Sequence, residues 1–322
     1  MGPHPAVAAV RSAVRRALAD QPRQLPALVA CSGGADSVAL AAGLAFVAAG
    51  TGRPAGLVTI DHGLQPDSSA QAARVVELGH RLGLDPVCQL RVQVGSQGGP
   101  EAAARAARYA ALNGLDGLIL LGHTADDQAE TVLLGLGRGS GPRSIAGMRP
   151  VEGHYLRPLL GLRRADTEAI CDALELPYWQ DPHNTDPRFQ RARLRAEVLP
   201  LLEDVLQGGV AGALARTAEQ LQDDLAALDQ LAAQALATAD AGGELLVEAL
   251  ADQPRAILAR VVKRWAEATG TDPLSSVHVR QLTALIADWH GQLGVDLPGG
   301  RRATRSAGRL RLDATPAERD PG

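Results

Sequence analysis

Lysine is nearly missing from this sequence: Lys263 stands alone among 32 basic residues. A phosphate loop of the GxxxxGK[ST] kind needs a lysine directly after its glycines, and Lys263 lies far along the chain in a predicted helix, so that class of nucleotide site is excluded. Cysteine is scarce too. Cys31, Cys88 and Cys171 are widely spaced and form no CxxC pair. That leaves no zinc ribbon, thioredoxin-type site, iron–sulfur scaffold of the usual spacing or disulfide framework, and it fits a reducing cytoplasm. Aromatic residues make up only 2%, so Ala, Leu and Val must fill the core. The longest uncharged apolar stretch, 38–50, falls well short of the roughly 20 residues that cross a bilayer. Arg11, Arg15 and Arg16, interleaved with Val7, Val10, Val14 and Leu18, make the N-terminus an amphipathic helix and not a signal peptide. The expectation is a cytoplasmic protein without a membrane segment.

What is present suits an ordinary soluble globular protein, with 21% charged and 46% apolar residues over 322 positions, enough for about two domains. The net charge of −4 hides an asymmetry. Residues 297–311 hold five arginines (Arg301, Arg302, Arg305, Arg309, Arg311) and no acid, whereas residues 200–254 hold ten acids and one arginine. A second basic cluster, Arg188, Arg191, Arg193 and Arg195, closes the segment before the acidic one. Taken alone, either cluster reads as a solvated face or as a contact for a polyanion.

Short apolar runs at 25–31, 55–61, 86–92 and 117–122 alternate with helical patterns at 67–84, 100–113 and 126–138. Four βα repeats of this kind predict a doubly wound, mostly parallel α/β sheet whose ligands bind beyond the carboxyl ends of its strands. After Val205 the sequence Gln207-Gly208-Gly209 interrupts a helix, and a long Ala/Leu/Gln/Asp pattern then runs to Ala239. A boundary is expected there, giving domains 1–207 and 208–322. The second domain is expected to be mostly helical, over 254–269 and 275–288, with a small terminal hairpin.

The stretch Ser32-Gly33-Gly34-Ala35-Asp36-Ser37 follows a predicted strand and opens a helix. Strand, glycine turn and helix N-terminus together make an anion site, because unpaired amides and the helix dipole point at one place. Asp36 adds a hard oxygen for Mg²⁺, and Ser32 and Ser37 add hydroxyls; simple helix capping is the alternative. After the 117–122 strand comes His123-Thr124-Ala125-Asp126-Asp127-Gln128-Ala129-Glu130-Thr131. Spacing of three to four puts Asp126 or Asp127 on the same face as Glu130, which suits a metal or an amine, or dipole capping alone. His123 at the strand tip is either functional or an ordinary hydrogen-bonded histidine. The run Gly135 to Gly141 follows a helix and lacks GxGxxG spacing, so a dehydrogenase is rejected.

These motifs resemble the tRNA(Ile)-lysidine synthetases, a branch of the PP-loop ATPase superfamily. The SGGxDS loop carries the superfamily. The branch is carried by Asp61-His62-Gly63-Leu64, the 101–109 segment with Arg105, Arg108 and Tyr109, the 123–131 block and Arg138-Gly139-Ser140-Gly141. It is carried also by Arg157-Pro158-Leu159-Leu160 and by Asp181, Asn184 and Asp186 followed by Arg191-Ala192-Arg193-Leu194-Arg195. Ala192 and Gln65 depart from the family pattern. The resemblance implies ATP, with Mg²⁺, adenylating carbon 2 of the wobble cytidine in an isoleucine tRNA with a CAU anticodon, after which the side-chain amine of L-lysine displaces AMP. It assigns catalysis to Asp36, Arg105, His123, Asp127 and Glu130. ATP falls to the 32–37 loop with Asp61 and His62, and Mg²⁺ to Asp36, Asp126 and Asp127. A polyanion on a lysine-poor chain needs arginines, so Arg191, Arg193 and Arg195 in one domain and Arg301, Arg302 and Arg305 in the other are the expected tRNA contacts. A homodimer is compatible with this reading. The rivals are a tRNA thiolase, which needs suitably placed cysteines, a glutamine-dependent amidotransferase, which needs a glutaminase domain, and an ATP-binding module without catalysis.

Overall fold

The computed structural model describes residues 4–63, 67–95, 99–139, 141–181 and 186–314, and no side chain at Pro100 or Glu101. Leu64, Gln65, Ser140 and Asn184, which carry parts of the family motifs, lie outside the described residues. In chain order come α1 (Pro5–Ala19), β1 (Ala27–Ala30), α2 (Ala35–Thr51), β2 (Ala55–Asp61), α3 (Ser68–Arg81), β3 (Val87–Arg91), α4 (Pro100–Asn113) and β4 (Leu118–Leu121). They are followed by α5 (Ala125–Arg138), α6 (Pro142–Ile145), β5 (Val151–Glu152), β6 (Tyr155–Leu156) and α7 (Arg164–Ala173). The strands lie in the order β3-β2-β1-β4-β6-β5, and every pairing is parallel except that of β5 with β6.

Alternation along these strands splits the core in two. Ala27, Val29, Leu57, Leu118 and Leu120 face α1, α2, α3 and α7, while Leu28, Val58, Ile119 and Leu121 face Leu112 of α4 and Tyr155. A parallel sheet covered on both faces needs apolar residues in both registers, which is why the central strands read as unbroken apolar runs. The predicted doubly wound sheet is therefore present, with β5, β6 and α7 added to the elements that periodicity revealed.

The chain continues through α8 (Gln190–Arg193), a π-helical turn (Leu194–Val198), α9 (Leu199–Val205) and α10 (Val210–Ala239). Pro200 in the first turn of α9 has no amide to donate backwards, so the helix loosens just ahead of it. The chain divides into two compact units, Met1–Gln222 and Asp223–Gly322, with the division inside α10. Gly208 and Gly209, where the sequence suggests a boundary, instead turn the chain between α9 and α10 with φ of 91° and 75°.

The second unit contains β7 (Leu245–Leu246), α11 (Arg255–Ala268), α12 (Ser276–Ala287), β8 (Val295–Leu297), β9 (Arg301–Ser306) and β10 (Arg309–Ala314). Its strands form an antiparallel sheet in the order β7-β10-β9-β8 over a core that includes Val261, Trp265, Leu282 and Leu310. The expected hairpin is β9-β10, widened to four strands. Among the described residues no single helix is long and apolar enough to cross a membrane.

One buried cation organises the first unit's edge. Arg53, between α2 and β2, donates to Pro22 O and Leu25 O at 2.9 Å, to Gln21 O at 2.8 Å and to Leu18 O at 3.4 Å. It satisfies carbonyls left over at the end of α1 and in the loop that leads to β1. Replacing Arg53 with Ala should lower the unfolding free energy by about 2 kcal/mol, since four carbonyls, one of them buried, lose their donor together. Arg53→Lys should recover only part of it, because one ammonium cannot reproduce the fork. Denaturant melts of the two variants measure both effects.

Candidate active site

The strand order reverses direction at β1, which has β2 on one side and β4 on the other, so a crevice opens above the carboxyl ends of β1 and β4. Gly33, with φ of +88°, makes the turn after β1, and a Cβ there would lie 2.3 Å from Gln71 Nε2 and 3.0 Å from Val75 Cγ2. Trp179 N–H donates to Gly33 O at 2.8 Å and pins the turn from outside. Ser37 is buried. Its Oγ accepts from Ser32 N–H at 3.2 Å and donates to Gly34 O at 2.9 Å, so this hydroxyl shapes the loop instead of reaching into the crevice. The first amides of α2, at Ala35 and Asp36, remain without helical acceptors and mark the anion-binding end. On the facing side, a Cβ on Gly122 at the tip of β4 would lie 3.1 Å from Ser37 N and Cα.

Three acids expected at the site meet in a chain of alternating charge. Asp36 accepts from the Thr167 hydroxyl, and its Oδ2 lies 3.2 Å from Arg164 NH2. The same guanidinium reaches Asp127 Oδ1 at 3.3 Å, and Arg195 NH2 approaches that oxygen at 3.5 Å. Arg195 also pairs with Glu130 Oε1 at 2.7 Å, and Arg191 NH1 stands 3.4 Å from Glu130 Oε2. Glu130 has no exposed side-chain surface. Burial pushes the carboxyls of Asp36 and Glu130 above their ordinary range, against the pull of Arg164 on the first and Arg195 on the second. Asp127 carries a local duty as well: its Oδ2 accepts from Thr124 N–H at 2.8 Å and Thr124 Oγ at 3.0 Å, closing a capping box on α5.

Several of the expected site residues are engaged by neighbouring groups of the chain. Asp126, expected at the metal, is held by the Arg163 fork at 2.8 and 3.1 Å and by Arg164 N–H at 2.8 Å. It thereby caps α7. Burial pushes its carboxyl up, but the Arg163 hydrogen bonds outweigh this and hold it below its ordinary range. Arg191 and Arg195, expected on tRNA, turn inward to Glu130, while Arg193 pairs on the surface with Glu197 at 2.9 Å. In the second unit Arg305 donates to Leu285 O at 2.8 Å at the end of α12, Arg301 donates to Thr269 O at 3.1 Å, and Arg302 pairs with Asp296 at 2.7 Å. Asp61 is buried, and its Oδ1 accepts from Gly63 N–H at 3.0 Å, so it shapes the turn after β2. Ser68 and that amide hold its carboxyl below the usual range.

His123 lies at the end of β4 with Nδ1 hidden and unpartnered. Burial pushes its imidazole down to about 4, against the pull of Asp127, so it is neutral near pH 7 and donates no charge. His62 is lowered first by burial and then by Arg108. Arg105 is exposed, its Cζ 4.8 Å from the Tyr109 ring centroid and its NH2 donating to Tyr109 Oη at 3.3 Å.

Arg163, Arg164 and Thr167 were not foreseen. They start α7, a ten-residue helix whose sequence RADTEAICDA offers no glycine turn or acidic pair to mark it as part of a site. The only signal was their position just after the Arg157-Pro158-Leu159-Leu160 motif.

Residues 8–202 match the family model of the PP-loop domain, and residues 245–311 match that of the TilS substrate binding domain. The chain is 53% identical to the tRNA(Ile)-lysidine synthase of Salinispora arenicola over 95% of this chain and 96% of that protein. It is 51% identical to that of Thermobifida fusca, over 97% and 99% respectively. The chain belongs to the tRNA(Ile)-lysidine synthase family. Another relative of that name, from Mycobacterium tuberculosis, is 51% identical over 91% of each chain. The solved U34-tRNA thiolase NcsA from Methanococcus maripaludis, with its 4Fe-4S cluster, is similar at a TM-score of 0.54 and 17% identity, covering 68% of this chain and 80% of that one. That likeness speaks for the fold alone.

Within this lysidine synthase family member, the Glu130–Arg195 pair separates structure from chemistry. Glu130→Gln should cost about 3 kcal/mol of stability by leaving a guanidinium without its buried partner. Adding Arg195→Met to that variant should restore at least half of the loss, because the pair disappears together. If Glu130 also serves the reaction, turnover stays lost in the double variant. Thermal melts beside turnover per folded molecule give the answer.

Proposed function

We propose that the chain converts the wobble cytidine of an isoleucine tRNA with a CAU anticodon into lysidine, using ATP and the side-chain amine of L-lysine. The base oxygen on carbon 2 attacks the α-phosphorus of ATP and releases pyrophosphate; the amine then attacks carbon 2, loses a proton, and AMP departs. The observation that carries this reading is the meeting of Asp36, Asp127 and Glu130 with the 32–37 loop in one switch-point crevice, within a chain that matches lysidine synthases over nearly its whole length.

The loop amides and the start of α2 suit the leaving pyrophosphate, and Gly33 leaves room where any Cβ would strike Gln71. Asp36 and Asp127 fit one divalent cation, since both already share a single positive group, Arg164. Bound there, Mg²⁺ supplies neutralisation of phosphate charge. Among the described residues no group of three or more His, Cys, Asp or Glu side chains could hold a metal ion by itself, so a cation held by Asp36 and Asp127 would need further oxygens from its ligands. Asp127 and Glu130 suit the lysine ammonium and hold it beside the reacting carbon, which is the proximity this chemistry needs. Neutral His123 shapes the wall.

Sulfur transfer fits less well. Cys31 and Cys171 are buried, and burial raises both thiols, Cys171 to about 12, far from the thiolate that a thiolase requires.

Asp36→Ala should leave the thermal transition near that of the unaltered protein and reduce AMP formation by about a thousandfold, the scale for losing a preorganised electrostatic contact. Labelled lysine entering a CAU-anticodon isoleucine tRNA with ATP and Mg²⁺ is the direct assay. ATP binding with no label in the tRNA would leave only a nucleotide-binding module.

The second unit, which matches a substrate-binding domain, supplies further tRNA contacts in this proposal. Arg301 and Arg305 hold backbone carbonyls, so reversing them tests folding first. Arg302→Glu with Arg311→Glu is the sharper pair, because both partners lie at the surface. Tighter binding at low salt should be lost, and the slope of log affinity against log salt should fall by about 2. An unchanged slope in a salt titration removes these residues from the interface.

A further inference from the structure

Two threonines without exposed surface, Thr124 and Thr167, stand behind the acids that Arg164 joins. Thr167, on α7, donates to Asp36 Oδ1, and the other oxygen of that carboxylate, Oδ2, lies 3.2 Å from Arg164 NH2. Thr124, just ahead of α5, donates to Asp127 Oδ2 at 3.0 Å, and there Oδ1 lies 3.3 Å from the same nitrogen. Each acid therefore has one oxygen held by its own threonine and one turned to a shared point.

Thr124 has a local reason for its place, because it closes the capping box that starts α5. Thr167 has no such reason. A helical threonine commonly rests its hydroxyl on a carbonyl three or four residues back, and Arg164 O stands 2.7 Å from Thr167 Oγ, ready to accept it. The hydroxyl carries one hydrogen, however, and a carboxylate is a stronger acceptor than a carbonyl. The bond to Asp36 ties α7 to the first turn of α2 and decides which carboxylate oxygen faces the crevice. Without it the carboxylate is free to turn about its last side-chain bond, a torsion that is broad and roughly two-fold. Mg²⁺ is exacting in this respect, since it demands a near-ideal octahedron from one or two carboxylates and phosphate oxygens.

We propose that Thr167 is a positioning residue: its hydroxyl locks the Asp36 carboxylate so that Oδ2, beside Asp127 Oδ1, is the oxygen offered to a divalent cation in exchange for Arg164. This rests on the reaction proposed above for its cation and nucleotide, but occupancy by the ion can be read without turnover.

Mn²⁺ is the probe, titrated into protein bound to a non-hydrolysable ATP analogue and followed by its paramagnetic resonance signal, with a titration of the analogue alone subtracted. Thr167→Val keeps the branched shape and loses the hydroxyl, and it should need about tenfold more Mn²⁺ for half-saturation, the scale of one charge-assisted hydrogen bond. Thr167→Ser keeps the hydroxyl and loses only a methyl, so it should stay within about threefold of the unaltered protein. In lysine incorporation, the Mg²⁺ concentration for half-maximal rate should rise in Thr167→Val while KM for lysine holds. A merely structural role gives lower thermal transitions with Mn²⁺ affinity per folded molecule intact. Unchanged Mn²⁺ affinity in Thr167→Val, or an equal loss in Thr167→Ser, overturns the proposal. Should Thr167→Val not fold, Thr167→Ala is titrated in its place, and the same two results decide. Labelled lysine incorporation by the unaltered protein tells failure of this proposal apart from failure of the proposed reaction.

Discussion

The crevice depends on one arrangement: carboxylates that would repel one another are threaded on guanidinium groups. From Asp36 the sequence of contacts runs through Arg164 to Asp127, through Arg195 to Glu130, and ends at Arg191, alternating in sign at every step. Without the arginines, burial would drive the acids toward their protonated forms, and the upward displacement of Asp36 and Glu130 shows that pressure still acting. Arginine suits this work because its planar fork reaches two acids at once and never gives up its proton. The elements that supply the threads, α7 and the α8–α9 segment, are thus as necessary to the site as the glycine loop.

An alternating network of this kind responds to both kinds of ligand charge. A cation arriving at Asp36 and Asp127 competes with Arg164 for the same oxygens, and an ammonium arriving at Glu130 competes with Arg195. Guanidinium groups displaced in this way stand beside the loop where phosphate charge would develop. Exchange of partners, with little net change in charge, lets a buried site accept ions without the full desolvation penalty that an empty acidic pocket would impose.

Much of this was legible in the sequence because it follows from local rules. The short apolar runs at 55–61 and 117–122 and the helical spacing after each strand dictate the sheet, and the order strand, glycine turn, helix marks the 32–37 loop. What stayed hidden is long-range. Asp126 and Asp127 are neighbours with the same side chain, yet one is taken by Arg163 and the start of α7, thirty-odd residues onward, and only the other reaches the acid chain. Charge runs misled for a related reason. Arg191 and Arg195, four apart, look like a basic surface stripe, but the π turn between α8 and α9 falls where both can reach a fully buried Glu130. Sequence reports which charges exist; packing decides which of them meet solvent.

The scarcity of lysine acquires a meaning at this point. Every cation in the described network is an arginine, and the one lysine, Lys263, lies on α11 in the other unit, paired with Glu267 at 3.8 Å. Under the proposed reaction the site must hold an activated carbon and admit a primary amine to attack it. A site lysine, depressed in pKa by the same burial that raises Asp36 and Glu130, would be a nucleophile in its own right. Guanidinium groups supply the positive charge that phosphates need, yet stay protonated and inert. Acids threaded on arginines therefore make a pocket in which the only amine able to react is the one that enters as substrate.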